Sequence, residues 1–452
     1  MISKVSNSTL FILFALIISH IFILSRLIFF PYPELFVYPY LTNRGLIPYR
    51  DILDQHFPGL MFFPLNLDNL GMTTPEVARL WQYGVVIVIH LLLFMIAKRI
   101  FGSERKALIT NLIYFIWQPF FEGWVLWIDS FMPIFLLPSF YFLYKWAKQK
   151  ELKLVFLSGL FLGLAVIFKQ AVLPLVLLVG IFILFKKKKL QHPAIFSLGF
   201  LIPCVFLVAY ILKLDVWEDF IYWTVTFNLT TFAQMGRKYP EASLLLRSLF
   251  VILPSLIIFK RYFLLTLYIL GGLAFAYARF DLVHLQPVLP FVVLGTTAAF
   301  VWMWQRSRTK ISIAIYLIGT IVILTKFYQG HLGSKVFFFG ESEKKIVKEV
   351  QSVAGKDDKI FTLGTFPHIY QMAARLPPGN VFVFQFPWFM IEAEGKVLSG
   401  IEKEPPRVVV RDKNALVDGK NLVSYMPEIS EYIENSYKVK NIIDGTEILV
   451  RK

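Results

Sequence analysis

Residues 154–189 read LVFLSGLFLGLAVIFKQAVLPLVLLVGIFILFKKKK, and this stretch decides the fold class. Two apolar runs of fifteen residues are interrupted once, by Lys169 and Gln170, and closed by four consecutive lysines. Each run approaches the ~20 residues that a helix needs to cross a bilayer core. The rest of the chain continues in the same way. Of its 452 residues, 57% are hydrophobic and 17% aromatic, and only 17% are charged, against about 25% in an ordinary soluble domain. That composition excludes a disordered chain and argues against a single soluble globule. The expected fold is mostly α, a polytopic transmembrane helical bundle.

Eleven spans are expected, at about 10–30, 81–97, 107–121, 129–144, 154–168, 171–185, 194–213, 246–259, 262–278, 286–304 and 311–328. The first is too long for a signal h-region and reads as an uncleaved anchor. The net charge of +16 follows the same plan. Residues 341–452 hold 16 basic and 16 acidic residues, so the excess lies entirely in 1–340, with 30 basic and 14 acidic. Placing the N-terminus in the cytoplasm puts 18 of those 30 cations in cytoplasmic loops: Lys4, Lys98, Arg99, Arg105, Lys106, Lys145, Lys148, Lys150, Lys153, Lys186 to Lys189, Lys260, Arg261, Arg306, Arg308 and Lys310. This is the positive-inside pattern, not a nucleic-acid footprint. Only Glu104 and Glu151 share those loops. Twelve of the fourteen acids therefore fall on the extracytoplasmic side or at its boundary. The expected location is the cell (cytoplasmic) membrane, multi-pass, with the C-terminal part outside.

Two expected domains follow: 1–335 in the membrane and 336–452 as a small extracytoplasmic α/β domain. Long external loops span 31–80 and 214–245, and loops of that length on a rigid bundle are usual places for chemistry. In the tail, KIFTLG, NVFVF, RVVVRD and EILVRK are strand-like, whereas EKKIVKEVQSVA, HIYQMAAR and MPEISEYIENSY are helix-like. No Gly-rich phosphate loop occurs there. Cys204 is the single cysteine, so neither an intramolecular disulfide nor a cysteine metal site can form.

The candidate chemistry is acidic and external. Asp51 and Asp54 stand in PYRDILDQHFPG (48–59), beside Arg50 and His56. A helix would put both carboxyls on one face, where either could act as a general base; a solvated turn is the plainer reading. Asp129 closes EGWVLWID (122–129) and opens the fourth span, where an acid can also simply cap a helix; Glu122 is a similar case. Lys169 lies deep for a cation and needs water, a partner or an anionic ligand, unless it snorkels as a turn residue. Arg279, Asp281 and His284 share AYARFDLVHLQPVLP (276–290), where Arg suits bidentate contact with phosphate oxygens and an Arg279–Asp281 surface pair is the alternative. No HxxxH pair occurs, which argues against a histidine metal site. A divalent cation on Asp51 or Asp54 stays open, and no other cofactor is indicated.

PYRDILDQHFPG, LGMTTPEVARL (70–80), FGSERKALITNLIY (101–114), GLFLGLAVIFKQ (159–170) and RFDLVHLQPVLPF (279–291) come in an order that resembles the GT-C membrane glycosyltransferases. The resemblance is to the bacterial and archaeal branch similar to protein O-mannosyltransferases and the lipid A aminoarabinose transferase. It implies inverting transfer of a sugar from a polyprenyl-phosphate donor to an acceptor hydroxyl on a cell-surface glycan, glycolipid or protein. It also implies a base at Asp51, a second acid at Asp129, and donor-phosphate contacts from Lys169, Arg279 and His284, with Arg79 a weaker choice. The protein mannosyltransferases have an Asp-Glu pair where this chain has Asp51 followed by Ile52, which weakens the case for a protein acceptor. The competing class is a lipid or solute transporter, or flippase. Transporters often carry matching halves with broken helices in corresponding positions, and this sequence shows no such pairing.

Overall fold

The computed structural model describes residues 5–187, 189–306 and 309–452. Lys4, Lys188 and Arg308, counted above among the loop cations, lie outside the described residues. The chain divides into two compact units. The first comprises Met1–Phe30, Ala78–Val208 and Lys238–Lys335; the second comprises Pro31–Val77, Ala209–Arg237 and Val336–Lys452.

Each expected span position carries a helix in or entering the first unit: Asn7–Arg26, Pro75–Phe101, Glu104–Trp117, Ile128–Gln149, Leu152–Phe168, Leu173–Lys187, Gln191–Lys213, Ala242–Leu256, Phe263–Gly272, Leu289–Trp304 and Lys310–His331. Serine caps start two of them. Ser6 Oγ accepts from the Thr9 amide and Ser103 Oγ from the Lys106 amide, each satisfying an otherwise orphan donor. Among the described residues, four helices are long and apolar enough to cross a membrane: Asn7–Arg26, Pro75–Phe101, Gln191–Lys213 and Lys310–His331. The other seven are shorter or more polar. Side chains that a water-soluble fold would bury, such as Phe11, Phe185 and Phe206, are about 70% exposed, as suits a lipid-facing surface.

Packing in this unit uses small and polar residues where helices meet. A Cβ at Gly159 would lie 2.1 Å from the Phe196 carbonyl oxygen, and one at Gly199 equally close to that of Phe156. Glycine is therefore what lets Leu152–Phe168 and Gln191–Lys213 approach backbone to backbone. Ser139 Oγ bonds both Ser158 Oγ (3.0 Å) and Tyr268 Oη (2.7 Å), tying three helices together. His20 reaches His90 and Gln118, both at 2.9 Å, in a second buried chain.

The second unit assembles three separated pieces of sequence. Its main sheet runs Ile360–Leu363, Val408–Arg411, Thr446–Arg451, Tyr437–Ile443, with the first pair parallel and the others antiparallel. The strand Tyr437–Ile443 and the helix Pro387–Lys403, the longest of the tail, go beyond the elements expected from sequence. NVFVF supplies a strand, but Phe382–Val383 pairs in parallel with Ile52–Leu53 of the first loop and not with the main sheet. That pairing corrects a helical reading of PYRDILDQHFPG. Asp51 lies in a turn and Asp54 follows a two-residue strand, so the two do not share a helix face. The 214–245 loop forms the short helical pieces Trp217–Ile221, Tyr222–Thr226, Phe227–Leu229 and Thr231–Met235.

Candidate active site

In the first unit, three of the expected residues come together. Asp129 sits in the first turn of Ile128–Gln149 with no solvent exposure. It is not the cap, a position that Trp127 takes: its Oδ2 accepts from Lys169 Nζ at 2.6 Å and lies 3.0 Å from His284 Nδ1. Lys169 stands at the C-terminal end of Leu152–Phe168, and its Nζ is 3.3 Å from the same histidine nitrogen. Phe275 covers the ammonium, with its ring centre 5.7 Å from Nζ. A buried lysine at this depth requires such a partner, because an unpaired charge loses its hydration with no return. Burial and the Lys169 charge hold His284 below the usual imidazole range, so the ring is a neutral donor and acceptor.

Glu122 belongs to the same cluster. It is in the left-handed region, at φ 54°, within the tight turn Pro119–Gly123. Its Oε2 accepts from the Val283 amide and its carbonyl from Gln286 Nε2, both at 2.8 Å. Burial, reinforced by Asp281, raises the Glu122 carboxyl to about 7. Asp281 itself pairs with Lys238 at 2.6 Å. Arg279 lies two residues away on the same segment, its backbone bridged to that of Lys238. Arg79 is placed differently: its guanidinium donates to the carbonyls of Leu24 (2.7 Å) and Leu27 (3.3 Å) and stacks over Phe29. It therefore caps the end of the first helix, and its donors are directed at backbone.

In the second unit, Asp54 is almost fully buried and both its oxygens are used. Oδ2 accepts from Tyr38 Oη at 2.6 Å, and Oδ1 accepts from the His56 amide at 2.7 Å and lies 2.8 Å from His56 Nδ1. A carboxylate held this way orients its partners. Asp51 is half-buried; its Oδ2 accepts from the Ile47 amide at 2.8 Å, and its carbonyl accepts from the Phe382 amide. Arg50 is directed at Asp215 and Asp219.

Glu34, which sequence reasoning did not single out, is the additional carboxyl of this region. It opens the helix Glu34–Thr42 and is buried, and Oε2 has no hydrogen-bond partner among the described residues. Burial raises it to about 7, with Asp54 adding to the rise and His56 opposing it. Its sequence signal, PYPEL, shows only a proline-flanked acid. Nothing in it reports that the following residues pack around the side chain. Among the described residues, no group of three or more His, Cys, Asp or Glu side chains is arranged to hold a metal ion.

A family model described as dolichyl-phosphate-mannose-protein mannosyltransferase matches residues 67–212. In fold, the chain is similar to the crystal structure of ArnT from Cupriavidus metallidurans bound to undecaprenyl phosphate, with a TM-score of 0.63 at 12% identity, covering 98% of each chain. The apo structure of the same ArnT gives a TM-score of 0.64 at 13% identity, again over 98% of each chain. No curated protein sequence matches. The chain thus resembles the GT-C glycosyltransferases in sequence over one segment and in fold from end to end.

Proposed function

We propose that this chain, with its GT-C-like fold, is a membrane glycosyltransferase. In this reading it moves a sugar, with inversion, from a polyprenyl-phosphate donor to an acceptor hydroxyl on the extracytoplasmic face. The observation that carries the reading is the full-length likeness in fold to an ArnT structure bound to undecaprenyl phosphate. In the reaction, the acceptor oxygen attacks the anomeric carbon from the face opposite the phosphate. The bond from that carbon to the phosphate oxygen breaks, and the lipid phosphate leaves with the electron pair. A carboxylate takes the hydroxyl proton, which supplies about 10²–10⁴-fold. Lys169, His284 and Arg279 would hold the departing phosphate, as preorganised donors do for developing charge.

Asp51 is the base nominated by the resemblance. A second reading is favoured by one observation: Glu34 is buried, has an oxygen without a partner among the described residues, and is raised to about 7, the range in which a general base works best near neutrality. The test is transfer from a panel of labelled polyprenyl-phosphate sugars to membrane extracts by wild type, Asp51→Asn and Glu34→Gln, each checked for normal folding. Loss of transfer in one variant alone identifies the base. Equal transfer by all three removes both carboxyls from the mechanism. Absence of transfer from every donor, alongside uptake or flipping of lipid in vesicles, would replace the enzyme by a transporter.

A further inference from the structure

The cluster around Asp129 contains two ion pairs and one carboxyl that joins neither. Lys169 with Asp129, and Lys238 with Asp281, are each neutral as pairs, at 2.6 Å in both cases. Glu122 joins neither pair. It is fastened to the same segment at two points, through Val283 and Gln286, on either side of His284. Its own segment, 119–129, also carries Asp129, which holds His284 itself. The carboxyl of Glu122 is thus held against the Val283 amide, next to His284, and its backbone is held by Gln286, in a left-handed conformation that a merely solvated acid would not need.

We propose that Glu122 is a positioning residue whose proton sets how strongly this site holds an anionic, phosphate-linked donor. This rests on the reading of the site as the donor-phosphate site. With its proton in place, Glu122 adds no charge to two neutral pairs, and its second oxygen still accepts from the Val283 amide. When the proton leaves, one full negative charge appears beside the bound phosphate. The charged groups facing Glu122 are Asp281, which favours keeping the proton, and Lys238, which favours losing it. Lys169, Asp129, neutral His284 and Arg279, two residues from Asp281, are the other polar groups of this site; Gln286 contributes only hydrogen bonding. A bound anion favours the protonated form, so donor binding draws a proton onto Glu122.

The experiment measures binding of a polyprenyl phosphodiester between pH 6 and 8 by full-length protein in detergent or nanodiscs. A diester keeps one charge over this range, so any pH dependence belongs to the protein. Wild type is expected to bind about fivefold more weakly at the alkaline end, the order of one added unit charge acting through partly screened surroundings. Glu122→Gln, which keeps an acceptor for the Val283 amide, is expected to bind at the tighter level throughout, with no slope. Infrared difference spectra supply a second readout: the protonated-carboxyl band should grow on binding at neutral pH in wild type and not in Glu122→Gln. A wild-type profile that is flat, or a slope that survives in Glu122→Gln, overturns the proposal. If wild type binds no diester at any pH, the donor-site reading itself fails.

Discussion

Asp129 and Glu34 are both buried carboxyls, one in each compact unit, and the protein treats them in opposite ways. Asp129 receives an ammonium and an imidazole on one oxygen. Glu34 receives neither, and burial instead drives it toward its neutral form. The first arrangement spends a carboxylate's basicity on holding other groups in place. The second preserves a proton acceptor whose charge can change near neutral pH. A buried acid's role is therefore read from what faces it and not from the burial itself.

The largest effect that would break this contrast is at Asp129. Asp129→Ala leaves Lys169 charged and buried without its carboxylate and is expected to cost about 3–5 kcal/mol, whereas Asp129→Leu combined with Lys169→Met should recover most of that stability. Thermal denaturation in detergent separates the two outcomes. Equal stability of Asp129→Ala and wild type would mean that the pair does not hold the unit together.

Glu34 should behave with the opposite sign. Its proton is held to about 7 in the folded protein against 4.5 as the ordinary value, so the unfolded chain releases it first. Stability therefore falls as pH rises from 4.5 to 7, by about 3 kcal/mol in full. Glu34→Gln should abolish that slope and melt higher than wild type at pH 8. An unchanged pH profile in Glu34→Gln would move the buried proton elsewhere.

Tyr38→Phe removes one of the bonds that fix Asp54 and is expected to cost about 1.5–3 kcal/mol, as for a hydrogen bond to a charged group. The smallest effect is expected at Arg79. Because its guanidinium caps backbone carbonyls, Arg79→Lys should lower the melting point slightly and leave binding of a polyprenyl phosphate unchanged. Weakened binding would return Arg79 to the phosphate site.

The apolar runs and the charge asymmetry made the helices of the first unit legible, because both follow from solvent and membrane alone. The gathering of Asp129, Lys169 and His284 was visible only as separate polar interruptions, since no local pattern specifies which helices meet. Asp51 and Asp54 invited a helical spacing that tertiary pairing overrode: Ile52 and Leu53 found strand partners over three hundred residues away. Glu34 went unnoticed for a related reason. Its chemistry comes from enclosure by the rest of its unit, and a sequence does not announce enclosure.

That long-range strand pairing has a consequence for how the protein is made. The turn bearing Asp51 is closed by Phe382, whose amide bonds the Asp51 carbonyl. During synthesis, this turn must wait for most of the chain to be translated before it can take its final form. Such distant pairings are slow to find because the intervening loop must close first. The candidate catalytic loop is translated long before the strand that closes it, so a nascent chain cannot finish this loop until that strand has arrived.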